Sequence, residues 1–241
     1  MRNGTKSRKP KAIARPEILI FDVDGVLVDV SGSFHRSILD TVRHFTGRRA
    51  GFREIHQWKN RPGYNDDWRL TTDWICSLGR VVGYDEVKRQ FQIFYWGANG
   101  NGNVLRERWL VTPARIARWA KSSELALFTG RTQQELRYTL ERSRSRNHFS
   151  QIVTMDDVAR PKPAPDGLLR ILAGRDPEAA LYLGDNIDDA IAAREARVPF
   201  LGVLPLRSEA RRQRGTSLRE LGALGILHSV TELDGWLQPL K

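Results

Sequence analysis

Four short polar clusters, each directly behind an apolar run or in the loop that follows one, hold the side chains able to do chemistry. The first is Asp22-Val23-Asp24-Gly25, behind residues 18–21; the second is Thr129-Gly130-Arg131, behind 125–128. The third is Lys162, in Arg160-Pro161-Lys162-Pro163, and the fourth is Gly184-Asp185-Asn186-Ile187-Asp188-Asp189, behind 180–183. Carboxylates two residues apart at the end of a strand point the same way and repel unless a cation sits between them. With Asp185 and Asp189 they form an all-oxygen ligand set, which suits a hard divalent cation and favours magnesium. A hydroxyl from Thr129, an ammonium from Lys162 and the amides of the loop at Gly130 make a receptor for phosphate oxygens. A carboxylate in such a set can attack phosphorus to give an aspartyl-phosphate, while its neighbour protonates the leaving oxygen and later activates water. Taken singly, each cluster also has an ordinary structural reading. Asp22 could open an Asx-turn, Thr129 cap a helix, Lys162 sit solvated and Asp185 close a turn. Their joint arrival in this order favours the chemical one.

The elements that must position these residues follow from the apolar pattern. The runs at 18–21, 125–128, 151–153, 180–183 and 200–203 do not alternate, as expected of strands buried on both faces. Between them the sequence predicts helices. Thr112 and Pro113 open one that runs to about 121, and Thr132 caps one to about 142. Pro165-Asp166 starts another, with Leu168, Leu169, Ile171 and Leu172 on its buried face, and 190–196 forms the last. Strands alternating with helices predict a doubly wound parallel sheet in a three-layer α/β/α arrangement, whose ligands bind at the carboxyl edge.

Residues 31–106 break this rhythm. Ile38, Leu39, Val42 and Phe45 fall at helical spacing, stretches near 70–78 and 84–95 are helix-like, and no convincing strand appears. The segment is expected to be an inserted, mainly helical cap domain, closed by the glycine- and asparagine-rich run at 97–103. The expected organisation is a basic, disordered tail at 1–16, an α/β core from 17–30 and 107–241, and the cap at 31–106.

Composition bounds the partners. The net charge is +11, but the first fifteen residues supply +6 of it and contain no acid, so the charge marks a tail rather than a binding face. No nucleic-acid-binding motif accompanies it, which disfavours a nucleic-acid partner. No apolar run reaches the length of a membrane span, and the basic N-terminus lacks a signal-peptide core. Cys76 is the sole cysteine, so no intrachain disulfide forms, and a cytoplasmic location without a membrane partner is expected.

In this order, the four clusters resemble the haloacid dehalogenase superfamily over residues 17–205. The insertion after the first motif, and Lys162-Pro163-Ala164-Pro165, resemble its phosphoglycolate-phosphatase-like branch. The resemblance implies Asp22 as nucleophile and Asp24 as general acid/base. It implies Thr129, Gly130 and Lys162 around the phosphoryl group, with magnesium on Asp22, the backbone carbonyl of Asp24, and Asp185. Asp189 would order the metal's water shell or the lysine, with Asp188 its rival for that role. Members that remove halide or cleave phosphonates lack an acid where Asp24 stands, so neither reaction is expected. The expected activity is magnesium-dependent hydrolysis of a small phosphorylated metabolite through an aspartyl-phosphate. A phosphomutase acting on a sugar phosphate is the alternative, and a basic nucleic-acid-associated scaffold is the reading from another class. Specificity is expected in the cap, with Lys59, Arg61 and Asn65 as candidates against the competing view that they only solvate a helical bundle. Hinges for cap closure are expected near 30–33 and 99–105.

Overall fold

The computed structural model describes residues 14–205 and 209–237. Strand β1 (Ile18–Phe21) is followed by a short β2 (Val28–Asp29) and four helices, α1 (Phe34–Thr46), α2 (Phe52–Trp58), α3 (Asp67–Ser77) and α4 (Tyr84–Trp96). The chain returns through β3 (Arg108–Trp109) to α5 (Pro113–Ala120), β4 (Glu124–Phe128), α6 (Gln133–Ser143), β5 (Gln151–Val153) and α7 (Asp166–Leu172). It ends in β6 (Ala180–Gly184), α8 (Ile187–Ala196), β7 (Phe200–Val203), α9 (Glu209–Glu220) and β8 (Gly225–Leu227). Six parallel strands make the main sheet in the order β5-β4-β1-β6-β7-β8. This is the doubly wound α/β architecture that the alternating pattern predicts, with β1 at its centre.

The centre of the sheet explains why β1 is apolar throughout. Leu19 and Phe21 join the apolar cluster on one face, and Ile18 and Ile20 that on the other. All four are fully buried, and such burial contributes about 1.5–3 kcal/mol for each side chain. The first cluster does not stop at the sheet. It continues through Phe34, Ile38 and Val42 of α1 into Trp68, Trp74, Phe91 and Tyr95 of the inserted helices. The insertion therefore carries its apolar face against the same layer that supports β1.

Where the insertion leaves and returns, β2 and β3 pair antiparallel, Val28 with Trp109 and Asp29 with Arg108. This two-residue ladder was not predicted, because two residues give no periodicity. Helix α2 was likewise not predicted, and neither were α9 and β8, which make the sheet one strand wider than the five expected. Leu169 corrects the expected buried face of α7: it is 50% exposed, whereas Leu168, Ile171 and Leu172 are buried. Helical geometry puts 168, 171 and 172 on one stripe and turns 169 away from it. Of the expected basic tail, residues 1–13 lie outside the described residues. Arg15 donates to Ser122 Oγ at 3.0 Å, and the Pro16 carbonyl accepts from Ser123 Oγ at 2.8 Å, so residues 15 and 16 belong to the core.

Candidate active site

The sheet's hydrogen-bond ladders run one residue past the strands and so place the polar clusters. Asp22 N donates to Leu183 O at 2.8 Å, and Thr129 N donates to Val153 O at 3.0 Å. Asp22 therefore stands beside Gly184 and Asp185 at the carboxyl edge, where parallel strands leave side chains free to converge. Gly25 turns the chain just beyond, at φ +76°, and a Cβ there would overlap the Asp185 carboxylate. The turn thus needs glycine both for its left-handed backbone and for the approach of the two loops.

Lys162 is the centre of charge. Its Nζ lies 2.9 Å from Asp22 Oδ1 and 2.7 Å from Asp189 Oδ1, and it packs over the Phe128 ring at 4.6 Å. Burial works against its charge, but Asp189 and Asp22 outweigh that and hold the ammonium above its ordinary range. Asp189 is saturated. Its Oδ2 accepts from the amides of Asp185 (3.1 Å) and Asn186 (3.0 Å), and its Oδ1 accepts from Tyr182 Oη (2.6 Å) as well as from the lysine. Of the two roles open to it in the sequence, ordering the lysine is the one its contacts fill.

Asp22, Asp185 and Asp189 each offer a carboxylate oxygen, and these lie within 4.8 Å of one another. Burial pushes the Asp22 carboxyl well above its usual range despite Lys162, with Asp189 adding to the rise. Burial likewise raises Asp185 to about 6, against the pull of Arg214. Carboxyls gathered this closely at one sheet edge fit a hard divalent cation. Asp22 and Asp185 have the capacity to ligate it, since the oxygens of Asp189 are already taken. The side chain of Asp24 lies outside that cluster. Its Oδ1 accepts from Arg131 Nε at 2.8 Å and Nη2 at 2.6 Å. The carbonyls that close the Asp22–Gly25 turn are those of Val23 and Val28.

Arg131, the last residue of the second motif, has a role that its place in the sequence does not indicate. Its side chain is completely buried, over the Phe34 ring at 4.9 Å, and its Nη2 also reaches Glu107 Oε1 at 2.9 Å. Glu107 accepts from Tyr95 Oη (2.9 Å) and Thr139 Oγ1 (2.7 Å), and Thr139 accepts from Arg131 Nη1. Burial opposes the guanidinium's charge, yet Asp24 and then Tyr95 and Glu107 keep it firmly protonated. Nothing local in the sequence signals this network, because its carboxylate partners lie 24 and 107 residues away.

The cavity above these groups is small, about 40 Å³, and is lined by Asp22, Asp24, Gly130 and Asp185 from the core. From the insertion come Lys59, Asn65, Asp66, Asp67 and Trp68. That volume has room for about three waters. Thr129 is buried next to Gly130 and does not line the cavity; its hydroxyl accepts from Arg131 N at 3.2 Å. Of the specificity candidates, Lys59 lines the cavity and is paired with Asp67 at 2.6 Å. Asn65 lines it opposite Gly130, where a Cβ would collide with the Asn65 amide. Arg61 does not line it; the side chain is exposed and stacks on Trp58 at 4.6 Å. Asp188 turns away from the cation cluster and accepts the amides of Gly63 (2.7 Å) and Asn65 (2.8 Å), tying the loop between α2 and α3 to the core.

Among the described residues, no helix is long and apolar enough to cross a membrane. The family model described as haloacid dehalogenase-like hydrolase matches residues 119–203, which hold the second, third and fourth motifs. The chain is 29% identical over 204 residues to an imidazoleglycerol-phosphate dehydratase of Phytophthora nicotianae, covering 81% of this chain and 45% of that protein. It thus spans less than half the length of that relative. It is 28% identical over 189 residues to phosphoglycolate phosphatase 1 of Pseudomonas aeruginosa, covering 76% of this chain and 67% of that one. A crystal structure of a predicted phosphoglycolate phosphatase from Haemophilus somnus shares the fold, with a TM-score of 0.70 at 19% identity over 92% of this chain and 97% of that one. With its four motifs in order at one edge of the doubly wound sheet, the chain carries a haloacid dehalogenase-like hydrolase domain, matched over residues 119–203.

Proposed function

We propose that this hydrolase is a magnesium-dependent phosphatase of small organic phosphate monoesters, working through an aspartyl-phosphate on Asp22. The observation that carries this reading is the buried Lys162 ammonium held between Asp22 and Asp189, with Asp185 alongside, beneath the small cavity. The naming of the Pseudomonas relative as a phosphoglycolate phosphatase agrees with it. Magnesium would be held by Asp22, Asp185 and the Asp24 carbonyl, and when bound it supplies charge neutralisation at the phosphoryl oxygens.

The chain's own groups do the rest. Lys162 orients Asp22 and favours its ionised form against the effect of burial, so that its free oxygen serves as the nucleophile. The Lys162 ammonium and the Thr129–Gly130 segment supply positive charge and donors for the phosphoryl oxygens. Asp24, held through one oxygen by Arg131, keeps the other for passing a proton to the leaving group and taking one from water. The inserted helices cover the site, acting as a cap that excludes bulk water and meets the substrate's organic part.

The test is Asp22→Asn, whose amide is nearly isosteric but cannot attack. Wild type should release inorganic phosphate from p-nitrophenyl phosphate only when magnesium is present. The variant should release none while melting within a few degrees of wild type. Turnover retained by the variant, or in excess chelator, would overturn the assignment. Delivery of the group to a sugar hydroxyl instead of water, seen as an isomerised sugar phosphate, would replace it with a mutase.

A further inference from the structure

Arg214, on α9, is as deeply buried as Arg131, and its guanidinium meets two regions at once. Toward the insertion, Nε donates to Asn60 Oδ1 at 2.9 Å and Nη2 to the His56 carbonyl at 3.3 Å. That carbonyl lies in the last turn of α2, where backbone acceptors run out of partners within the helix. The amide four residues on, Asn60 N, turns to Gln57 O instead, at 3.4 Å. Asn60 completes the clasp, its Nδ2 donating to the Ala210 carbonyl at the start of α9 at 2.8 Å. Arg214 thus satisfies the end of α2 and fastens it to the core.

The remaining arm meets the catalytic edge. Nη1 stands 3.8 Å from Asp185 Oδ2, within ion-pair reach but too long for a hydrogen bond. Asp185 is the one carboxylate paired with Arg214 among the described residues. It is also one of the two acids with oxygens to spare for a divalent cation. One buried charge therefore has good hydrogen bonds on the α2 side and only a loose electrostatic tie on the other. A divalent cation on Asp185 would be a like charge a few ångströms from the guanidinium. At that separation the repulsion exceeds thermal energy even at a high effective dielectric constant.

We propose that Arg214 is a positioning residue that couples the cation site to the hold on the inserted helices. With Asp185 unligated, the guanidinium leans toward that carboxylate. With a cation on Asp185, repulsion shifts it onto Asn60 and the His56 carbonyl, so α2 is held most firmly when the site is loaded. By reciprocity, whatever weakens the hold on α2 lowers cation affinity by the same factor. The inference rests on the assignment of magnesium to Asp22 and Asp185 made above.

Calorimetric titration with magnesium chloride alone, on the intact protein at pH 8, reads the coupling without turnover. Arg214→Met removes the like charge and should bind magnesium about 5- to 100-fold more tightly, within the usual range for coupled sites. Asn60→Ala leaves that charge free to lean on Asp185 and should bind it about 5-fold or more weakly. Arg214→Lys keeps the charge but cannot span Asn60 and the His56 carbonyl together, so it should follow Asn60→Ala. A residue that only stabilised the fold would not move the affinity in opposite directions. Limited proteolysis of the loop at 59–66 reads the other end: magnesium should slow cleavage in wild type and not in Arg214→Met. Should Arg214→Met fail to fold, Asn60→Ala and the wild-type cleavage rates still decide. Magnesium affinity within twofold of wild type in Asn60→Ala, weaker binding in Arg214→Met, or wild-type cleavage indifferent to magnesium overturns the coupling. Magnesium-dependent hydrolysis of p-nitrophenyl phosphate by wild type would then leave the phosphatase reading standing. A wild type that binds no magnesium overturns both.

Discussion

Two buried cations organise this site, and they do so differently. Lys162 lies between Asp22 and Asp189, two carboxylates at the same sheet edge, and everything that fixes it belongs to the α/β core. Arg131 lies between Asp24 and Glu107 and is packed on Phe34, so its partners straddle the junction with the inserted helices. The lysine presents a point charge to the two carboxylates around it, and the arginine uses its fork to hold geometry. The comparison teaches that the lysine's charge is contained within the sheet layer. The arginine supplies alignment between that layer and the helices, where relative position is the variable to control.

The largest effect should come from emptying the first of these positions. Lys162→Met leaves Asp22 and Asp189 buried without their shared cation, which should cost about 3–5 kcal/mol of stability. Phosphate release should fall by at least about 10²–10³-fold, the cost of one preorganised donor. Thermal unfolding and p-nitrophenyl phosphate turnover measure both, and activity within tenfold of wild type would remove Lys162 from the reaction.

Arg131→Lys keeps the charge and loses the fork. It cannot bridge Asp24 and Glu107 together, so kcat should fall by about 10- to 100-fold, as expected for a misplaced catalytic group, with KM nearly unchanged. A change confined to KM would make Arg131 a substrate contact and dissolve the distinction between the two cations.

Asp188 ties the same junction at a second point, through the amides of Gly63 and Asn65. Asp188→Asn places an amide group against one of those donors, and stability should drop by about 1–3 kcal/mol. Limited proteolysis in the loop at 59–66 should quicken in parallel. Unchanged cleavage there would mean that the loop is held by other contacts, such as Asn60 Nδ2 donating to the Ala210 carbonyl at 2.8 Å.

The smallest effect is a control far from the junction. Glu124 accepts from Arg175 (2.6 Å), Ser150 (2.8 Å) and Gln151 (3.0 Å), and these bonds, that from Arg175 first, hold its carboxyl down to about 2 from the ordinary 4.5. A depressed carboxyl stabilises the fold above its unfolded pKa and loses that contribution as pH falls through the folded one. Glu124→Gln should therefore cost about 1 kcal/mol at neutral pH, given its partial exposure. The gap to wild type should close as pH falls from about 4.5 toward about 2. A gap that stays constant with pH would assign the loss to packing instead of charge.

What the sequence determined by itself is the sheet and its edge. Continuous apolar runs have one stable fate in a helix-alternating chain, burial on both faces of a parallel sheet, and so Asp22, Thr129, Lys162 and Asp185 had to converge. The helices with strong caps were equally legible, since Thr112 and Thr132 announce themselves locally and do accept the amides of Arg115 and Glu135. Helix α9 was not, because Glu209-Ala-Arg-Arg-Gln-Arg-Gly-Thr-Ser-Leu-Arg-Glu is polar almost all round and buries only Ala210, Arg214, Gly215 and Leu218. Its helicity depends on packing against the rest of the fold, which no local pattern encodes. The division of labour among the acids was also left to the tertiary structure. Asp188 and Asp189 are neighbours of one type, and only the direction of each side chain on the first turn of α8 sends one to the lysine and the other to the inserted loop. Arg131 and Arg214 look like two of many arginines in the chain. Burial alone, decided by elements distant in sequence, makes them the residues that hold the two layers together.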